Sequence, residues 1–297
     1  AFATGGESGP DTAATEEFSQ GVSPFAAWST GGSLGTAITY LTGAGTQTAG
    51  LSIGGDLTAA TEEYNGSAWT AGGALPATKR QLASAGLQTS ALAFGGMFPF
   101  SAATYEYDGS SWATGGSLGT ARYSLAGCGT QTAGLGFGGY APGANSNSTE
   151  EYNGTAWTGG GNMGTARRVL AGAGTQTAGL AFGGQIAPNT AATEEYDGSS
   201  WTAGGNLVAA NAGLAGAGIQ TAALGFGGSL PSITAVTQQY DGSSWTTTAS
   251  MNIGRAYLGG CGTTSAALGF GGSTPSATTA TEEFDSYGPS TATITTT

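Results

Sequence analysis

Histidine is missing altogether from the 297 residues. Without it, Ser-His-Asp and Cys-His nucleophilic arrangements cannot be assembled within the chain. His-ligated zinc and copper sites are excluded for the same reason. Charge is scarce as well: acidic and basic residues together make up 8%, only six are Lys or Arg, and the net charge is −12. A chain so poor in cations is not expected to bind nucleic acid, whose phosphates call for basic patches, or an anionic membrane surface. No apolar run approaches the ~18 residues that span a bilayer, so no membrane insertion is expected. No charged-then-apolar leader opens the chain. It begins at Ala1 rather than Met, which reads as a processed product or part of a longer chain.

Glycine is abundant, with 57 residues. Such a load signals low complexity only when it lacks a period. Here it has one. Trp28, Trp69, Trp112, Trp157, Trp201 and Trp245 follow one another at intervals of 41, 43, 45, 44 and 44 residues. Self-similarity at this spacing marks stacked supersecondary units.

Each unit reads as four short strands. The first is a small-residue run such as LAGAG. A TQTAG segment turns it into the second, which ends in a double glycine after Phe94, Phe137, Phe182, Phe226 and Phe270. A variable loop leads to the third, TEEY. Asn65-Gly66, Asp108-Gly109, Asn153-Gly154, Asp197-Gly198 and Asp241-Gly242 then turn the chain into the fourth strand, which carries the Trp. Asn-Gly and Asp-Gly suit the type I′ hairpin, whose two central residues both need positive φ. One such sheet is too small to stand alone. Repeated radially, its faces are covered by its neighbours.

The order of parts resembles the kelch repeat: a basic residue, a strand, a strand ending in Gly-Gly, a strand ending in an aromatic, then Trp. The resemblance covers essentially the whole chain and implies an all-β, kelch-type β-propeller. The wording of the repeat is also similar to glycine-rich kelch-like proteins of marine bacteriophages. WD-repeat propellers need a His and a Trp-Asp pair, which this chain lacks. Galactose oxidase shares the kelch propeller, but its copper site uses histidines, so that activity does not carry over. The sialidase Asp box is not matched either, because Asp108 stands four residues before Trp112 rather than five.

The third-strand motif occurs seven times, ending at Phe18, Tyr64, Tyr107, Tyr152, Tyr196, Tyr240 and Phe284, whereas complete first-plus-second pairs occur six times. The expectation is a single domain over residues 1–297 with seven four-stranded blades. One blade would be closed by pairing N-terminal strands near Phe2 and Thr15–Phe18 with the C-terminal tail Thr291–Ile294. Six blades is the alternative, with that tail as the fourth strand of blade six, and would leave one TEEF strand in surplus.

The basic residues share one place in the repeat. Ten residues after each Trp stand Ile38, Lys79, Arg122, Arg167, Asn211 and Arg255, with Arg80 and Arg168 following in their units. As a ring, Lys79, Arg122, Arg167 and Arg255 could hold an acidic glycan. Read structurally, they pair with the TEEY carboxylates, since charges taken from water need partners. In the unit with Asn211, Gln238 and Gln239 replace the glutamates, which agrees with pairing; the unit with Ile38 keeps Glu62 and Glu63, which does not. Paired glutamates can serve acid–base chemistry or bind metal. These recur in almost every unit, however, and a catalytic site is one asymmetric constellation. No loop carries the run of acids that calcium would need. Neither catalytic residues, metal nor cofactor is expected. Cys128 and Cys261 lie at matching points three units apart, too far for a disulfide, and read as buried small residues.

The loop between Gly-Gly and TEEY breaks the pattern most. Met97, Phe98, Phe100, Tyr140, Ile186, Leu230 and Ile233 appear in it without the repeat's regularity. Function tends to sit on loops held by a rigid scaffold, and exposed apolar groups mark contact surfaces. The structural reading is drift in loops that tuck an apolar residue back onto the blade. A second irregularity is Ser19–Ala27, where Phe25 could cap the closure or touch a neighbour. The expectation is a non-enzymatic binding or structural module on a virion surface or otherwise extracellular. Its partners would be a host-surface glycan or protein, or other subunits of an assembly. A glycan-active enzyme ranks last, for want of an asymmetric catalytic set.

Overall fold

The structure, a computed structural model, describes residues 2–4, 15–17, 26–56 and 58–286. Among them there is no helix; six four-stranded antiparallel sheets form a β-propeller. Blade 1 runs outward from the axis as Thr42–Gly45, Gly50–Ile53, Thr61–Tyr64 and Trp69–Ala71. Blades 2 to 5 repeat this order from inner strands beginning at Arg80, Ala126, Ala171 and Ala215. Blade 6 takes Gly259–Gly262, Ala266–Phe270 and Thr281–Asp285 from the C-terminal side and Ala27–Thr30 from the N-terminal side. Inner strands touch in sequence, and the sixth returns to the first.

Six blades, the alternative count, replaces the expected seven. The sixth blade needs no C-terminal tail, because the Trp28 strand occupies its outer edge in register Phe284↔Trp28. Trp28 then fills the same place as every other Trp, packed on Phe226 and Phe284 at 5.0 and 5.3 Å. The surplus unit lacks an inner strand. Its two strands, Phe2–Thr4 and Thr15–Glu17, pair with each other as a separate two-stranded sheet. Phe18, Phe25 and the Thr291–Ile294 tail lie outside the described residues.

Three sets of contacts between neighbours hold the ring. Each Trp indole N–H donates to the threonine that opens the third strand of the blade before it, from Trp28 to Thr237 (3.0 Å) round to Trp245 to Thr193 (2.9 Å). The glutamines of the TQT turns staple backbones across the same junctions: Gln131 Nε2 donates to the carbonyls of Ala91 and Tyr107. Third, each tyrosine that closes a third strand donates its hydroxyl to the glutamate just before the closing aromatic of the preceding blade's third strand, as in Tyr107 to Glu63 (2.6 Å) and Tyr196 to Glu151 (2.6 Å). Gln239 of blade 5 faces the one junction where the next aromatic, Phe284, has no hydroxyl to give.

At the axis, space is set by glycine. A Cβ on Gly216 would lie 2.6 Å from the Gly172 carbonyl oxygen of the preceding blade, and one on Gly127 2.9 Å from that of Ser84. Ser84 is the one non-glycine at this level, and its hydroxyl bonds Thr42 Oγ1 and the Gly43 carbonyl, both at 2.7 Å. The double glycines serve a different need: Gly183 and Gly184 both have positive φ, at 65° and 108°, where L-residues are strained.

Burial, then the hydrogen bond to glutamate, pushes the phenols of Tyr64, Tyr107 and Tyr152 up to about 12. Tyr196 and Tyr240 follow for the same reasons. An unfolded tyrosine titrates near 10, so these contacts are intact below about pH 10 and are lost as pH rises through about 12. A melting temperature that is flat to pH 10 and then falls steeply by pH 12 is expected. Tyr240→Phe, which copies the Phe284 junction, should flatten part of that fall.

Candidate functional site

The two ends of the propeller differ in kind. One end carries the TQT and Asn-Gly or Asp-Gly turns. Asp108, Asp197 and Asp241 are exposed there, and hydrogen bonds from the backbone and hydroxyls of the two following serines hold their carboxyls down at about 2. These turns repeat from blade to blade. The other end, the loop face, carries the variable loops.

Around the axis on the loop face, six residues with φ between 52° and 69° form a closed circuit: Tyr40, Gln81, Ser124, Val169, Gly213 and Tyr257. The amide of each donates to the carbonyl of the one before, at 2.8–3.0 Å, and Tyr40 closes on Tyr257. The circuit rims a channel of about 300 Å³ lined by the inner strands. Every donor in it is consumed, so its backbone is scaffold, and only its side chains differ from blade to blade. They stand twelve residues after each Trp, the most variable place within the regular part of the repeat. Nothing in the sequence marks this column, because its residues are uncharged and lie outside the loops that break the repeat.

The basic ring splits in two. Arg122, Arg167 and Arg255 are buried and meet the first TEEY glutamate of their own blades, Glu150, Glu194 and Glu282, at 2.9, 3.2 and 3.0 Å. Arg122 also donates to the carbonyls of Gly138 and Ser148. The second oxygen of each glutamate accepts a backbone amide, for example Gly119 to Glu150 at 2.6 Å. Blade 5 keeps the geometry without charge: Asn211 bonds the Gly227 carbonyl, and Gln238 accepts the Val208 amide. Blade 1 keeps Glu62 as the acceptor for Gly35, with Ile38 in the cation's place. In blade 2, Pro76 has no amide to offer, Tyr105 replaces the glutamate, and Lys79 is buried with no carboxylate within 4 Å among the described residues. Desolvation lowers its pKa, and among the described residues its ammonium bonds only the Phe98 carbonyl, at 3.5 Å. None of these four side chains projects into open space.

Arg80 and Arg168 are different, being half-buried on the loop face. Arg80 pairs with Asp56 at 2.6 Å and lies over the rings of Phe98 (4.4 Å) and Tyr40 (5.3 Å). Arg168 lies over Tyr140 at 5.0 Å and donates through Nε to Gln185 Oε1 at 2.9 Å. No carboxylate pairs with it among the described residues. Phe100 packs on Tyr123 at 5.0 Å, Tyr123 on Tyr140 at 5.4 Å, and Tyr40 on Tyr257 at 4.5 Å. One arc, over blades 1 to 4, thus joins two arginines to an aromatic surface.

The loop residues singled out in the sequence spread round the face. Phe98 and Phe100 are 53% and 36% exposed and Met97 and Tyr140 are half-buried, all within the aromatic arc. Ile186 and Ile233 are exposed and Leu230 half-buried, on the loops of blades 4 and 5. Cys128 and Cys261 are buried, and burial pushes both thiols up to about 12. No family model and no curated protein matches this chain.

Proposed function

We propose that this protein is a non-enzymatic binding propeller of kelch-like build that engages a glycan or protein through its loop face. The observation that carries this reading is where the sixfold pattern breaks. Glutamates, tryptophans, glutamines and buried arginines that obey the repeat are consumed in holding blades together. The side chains that depart from it gather on one face as exposed aromatics beside two stacked arginines. Arg, Tyr and Phe in such company are the residues that dominate interfaces. A virion-surface or otherwise extracellular setting, as for phage kelch-like proteins, suits a rigid, lysine-poor, glycine-rich chain. A second reading, a structural unit of an assembly, is favoured by the exposed Ile186 and Ile233 on the same face.

The test is a glycan and protein binding screen on the isolated chain, repeated with Phe98→Ser/Phe100→Ser. A loss of binding of about tenfold or more is expected, with stability held within about 0.5 kcal/mol, as for surface changes. A large fall in melting temperature would instead assign those rings to the core. Absence of any ligand, with sister chains seated on the loop face in an assembled particle, would favour the structural unit.

A further inference from the structure

Blade 5 departs from the others where its chain approaches the axis. Blade 4 places Arg168 and Val169 there; blade 5 places Ala212 and Gly213, preceded by Ala209 and Ala210. The small side chains of Ala209, Ala210 and Ala212 leave a groove of about 590 Å³ between the loops of blades 4 and 5, and the Tyr257 ring, which takes the space over Gly213, forms its axial end. That volume lies within the range of small-molecule sites. No other junction combines these losses.

The walls of the groove carry a particular set of polar atoms. Gln185 turns its Oε1 to Arg168, which leaves its Nε2 as a donor. Asn189 donates Nδ2 to the Ser229 carbonyl at 3.1 Å, which leaves its Oδ1 as an acceptor. The Tyr257 hydroxyl has no hydrogen-bond partner among the described residues. Pro188, Leu230 and Pro231 supply flat apolar surface between these groups. Arg168 does not itself line the groove: it lies over Tyr140 of blade 3 and meets the groove wall through its Nε bond to Gln185, with no carboxylate paired to its guanidinium among the described residues.

Backbone recognition of an extended peptide needs free strand amides or carbonyls at an edge. The amides of Gly213 and Tyr257 are already spent on the axial circuit. Recognition here falls to side-chain amides, a phenol and apolar flats, which match vicinal hydroxyls and the C–H face of a sugar ring. The unpaired guanidinium adds a partner for a carboxylate, with which it can bond in bidentate fashion.

We propose that the groove between blades 4 and 5 binds an acidic saccharide, one or two pyranose rings resting between Gln185, Asn189 and Tyr257 and a carboxylate reaching past the Gln185 side chain to Arg168. This rests on the reading of the loop face as a binding surface and names its ligand class. The chain's acidity does not oppose it locally: among the described residues no Asp or Glu lines the groove, and Asp56 on the loop face is paired with Arg80.

The test is calorimetric titration of the full chain with digalacturonic acid, with neutral galactobiose, and with a glutamate-rich hexapeptide. The uronide is expected to bind about tenfold more tightly than the neutral sugar. Arg168→Ala should erase that difference. Ala210→Trp, at an exposed position, should fill the groove and abolish both while leaving the melting temperature in place. Equal binding of neutral and acidic sugars, preference for the peptide, or full uronide binding by Ala210→Trp would overturn the proposal. Should Ala210→Trp retain a ligand that Phe98→Ser/Phe100→Ser loses, the groove falls and the loop-face reading stands. Failure of the wild-type chain to bind anything in the broader screen removes both.

Discussion

Arg122→Ala is expected to destabilise the propeller by about 3–5 kcal/mol, the cost of leaving one half of a buried ion pair without its partner. Arg122 has no exposed surface, and it holds Glu150 at 2.9 Å together with the carbonyls of Gly138 and Ser148. Removing it strands the carboxylate and two carbonyls in one stroke. The chain contains its own control. Blade 5 makes the same turn with Asn211 and Gln238, uncharged and buried. Arg122→Asn combined with Glu150→Gln should therefore recover more than half of the loss, because the carboxamide introduced in place of the Glu150 carboxylate can still accept the Gly119 amide. Urea unfolding of the two variants measures this directly. A single-variant loss below about 1 kcal/mol would mean that water reaches the site and replaces the guanidinium. Ligand binding should survive in whatever fraction remains folded, since Arg122 does not reach the loop face.

Gly216→Val is expected to cost at least the ~1–3 kcal/mol of an overpacked core. Its Cβ would sit 2.6 Å from the Gly172 carbonyl oxygen and 2.9 Å from Phe182 Cζ. The first of these is backbone of the neighbouring inner strand and cannot swing aside as a side chain would. The blades would have to move apart at the axis, straining the amide circuit of Gly213 and Tyr257 above. The same substitution at Gly159, in the outer strand of blade 3, meets nothing within 4 Å and should stay within about ±0.5 kcal/mol. Comparable melting temperatures for Gly216→Val and Gly159→Val would show that the axis is wider in solution and can take a branched side chain. Ser84 marks the limit of tolerance, its hydroxyl satisfied by Thr42 and Gly43.

Both predictions concern residues that obey the repeat, and it was the repeat that could be read in the chain itself. The Trp spacing, the Asn-Gly and Asp-Gly turns and the double glycines each state a local requirement: a hairpin, a positive φ, a ring to fill an interblade gap. Local requirements are written residue by residue, so the four-stranded unit and the propeller were legible. The pairing of Arg122, Arg167 and Arg255 with glutamate was legible too, because Asn211 and Gln238 change together. What the chain did not state was how many units close. Closure depends on which strand wins the free edge of Thr281–Asp285, and Trp28 wins it by fitting between Phe226 and Phe284 with its indole N–H on Thr237. That is a contact across more than 200 residues, with no trace in local spacing. The groove was hidden for a similar reason. It is a space left by Ala209, Ala210 and Ala212 of one blade, walled by Gln185 and Asn189 of another and ended by Tyr257 of a third. The sequence by itself determined the blade; only the tertiary structure decided the count of blades and the place where their symmetry fails, because both arise from what meets across blades and from what is absent there.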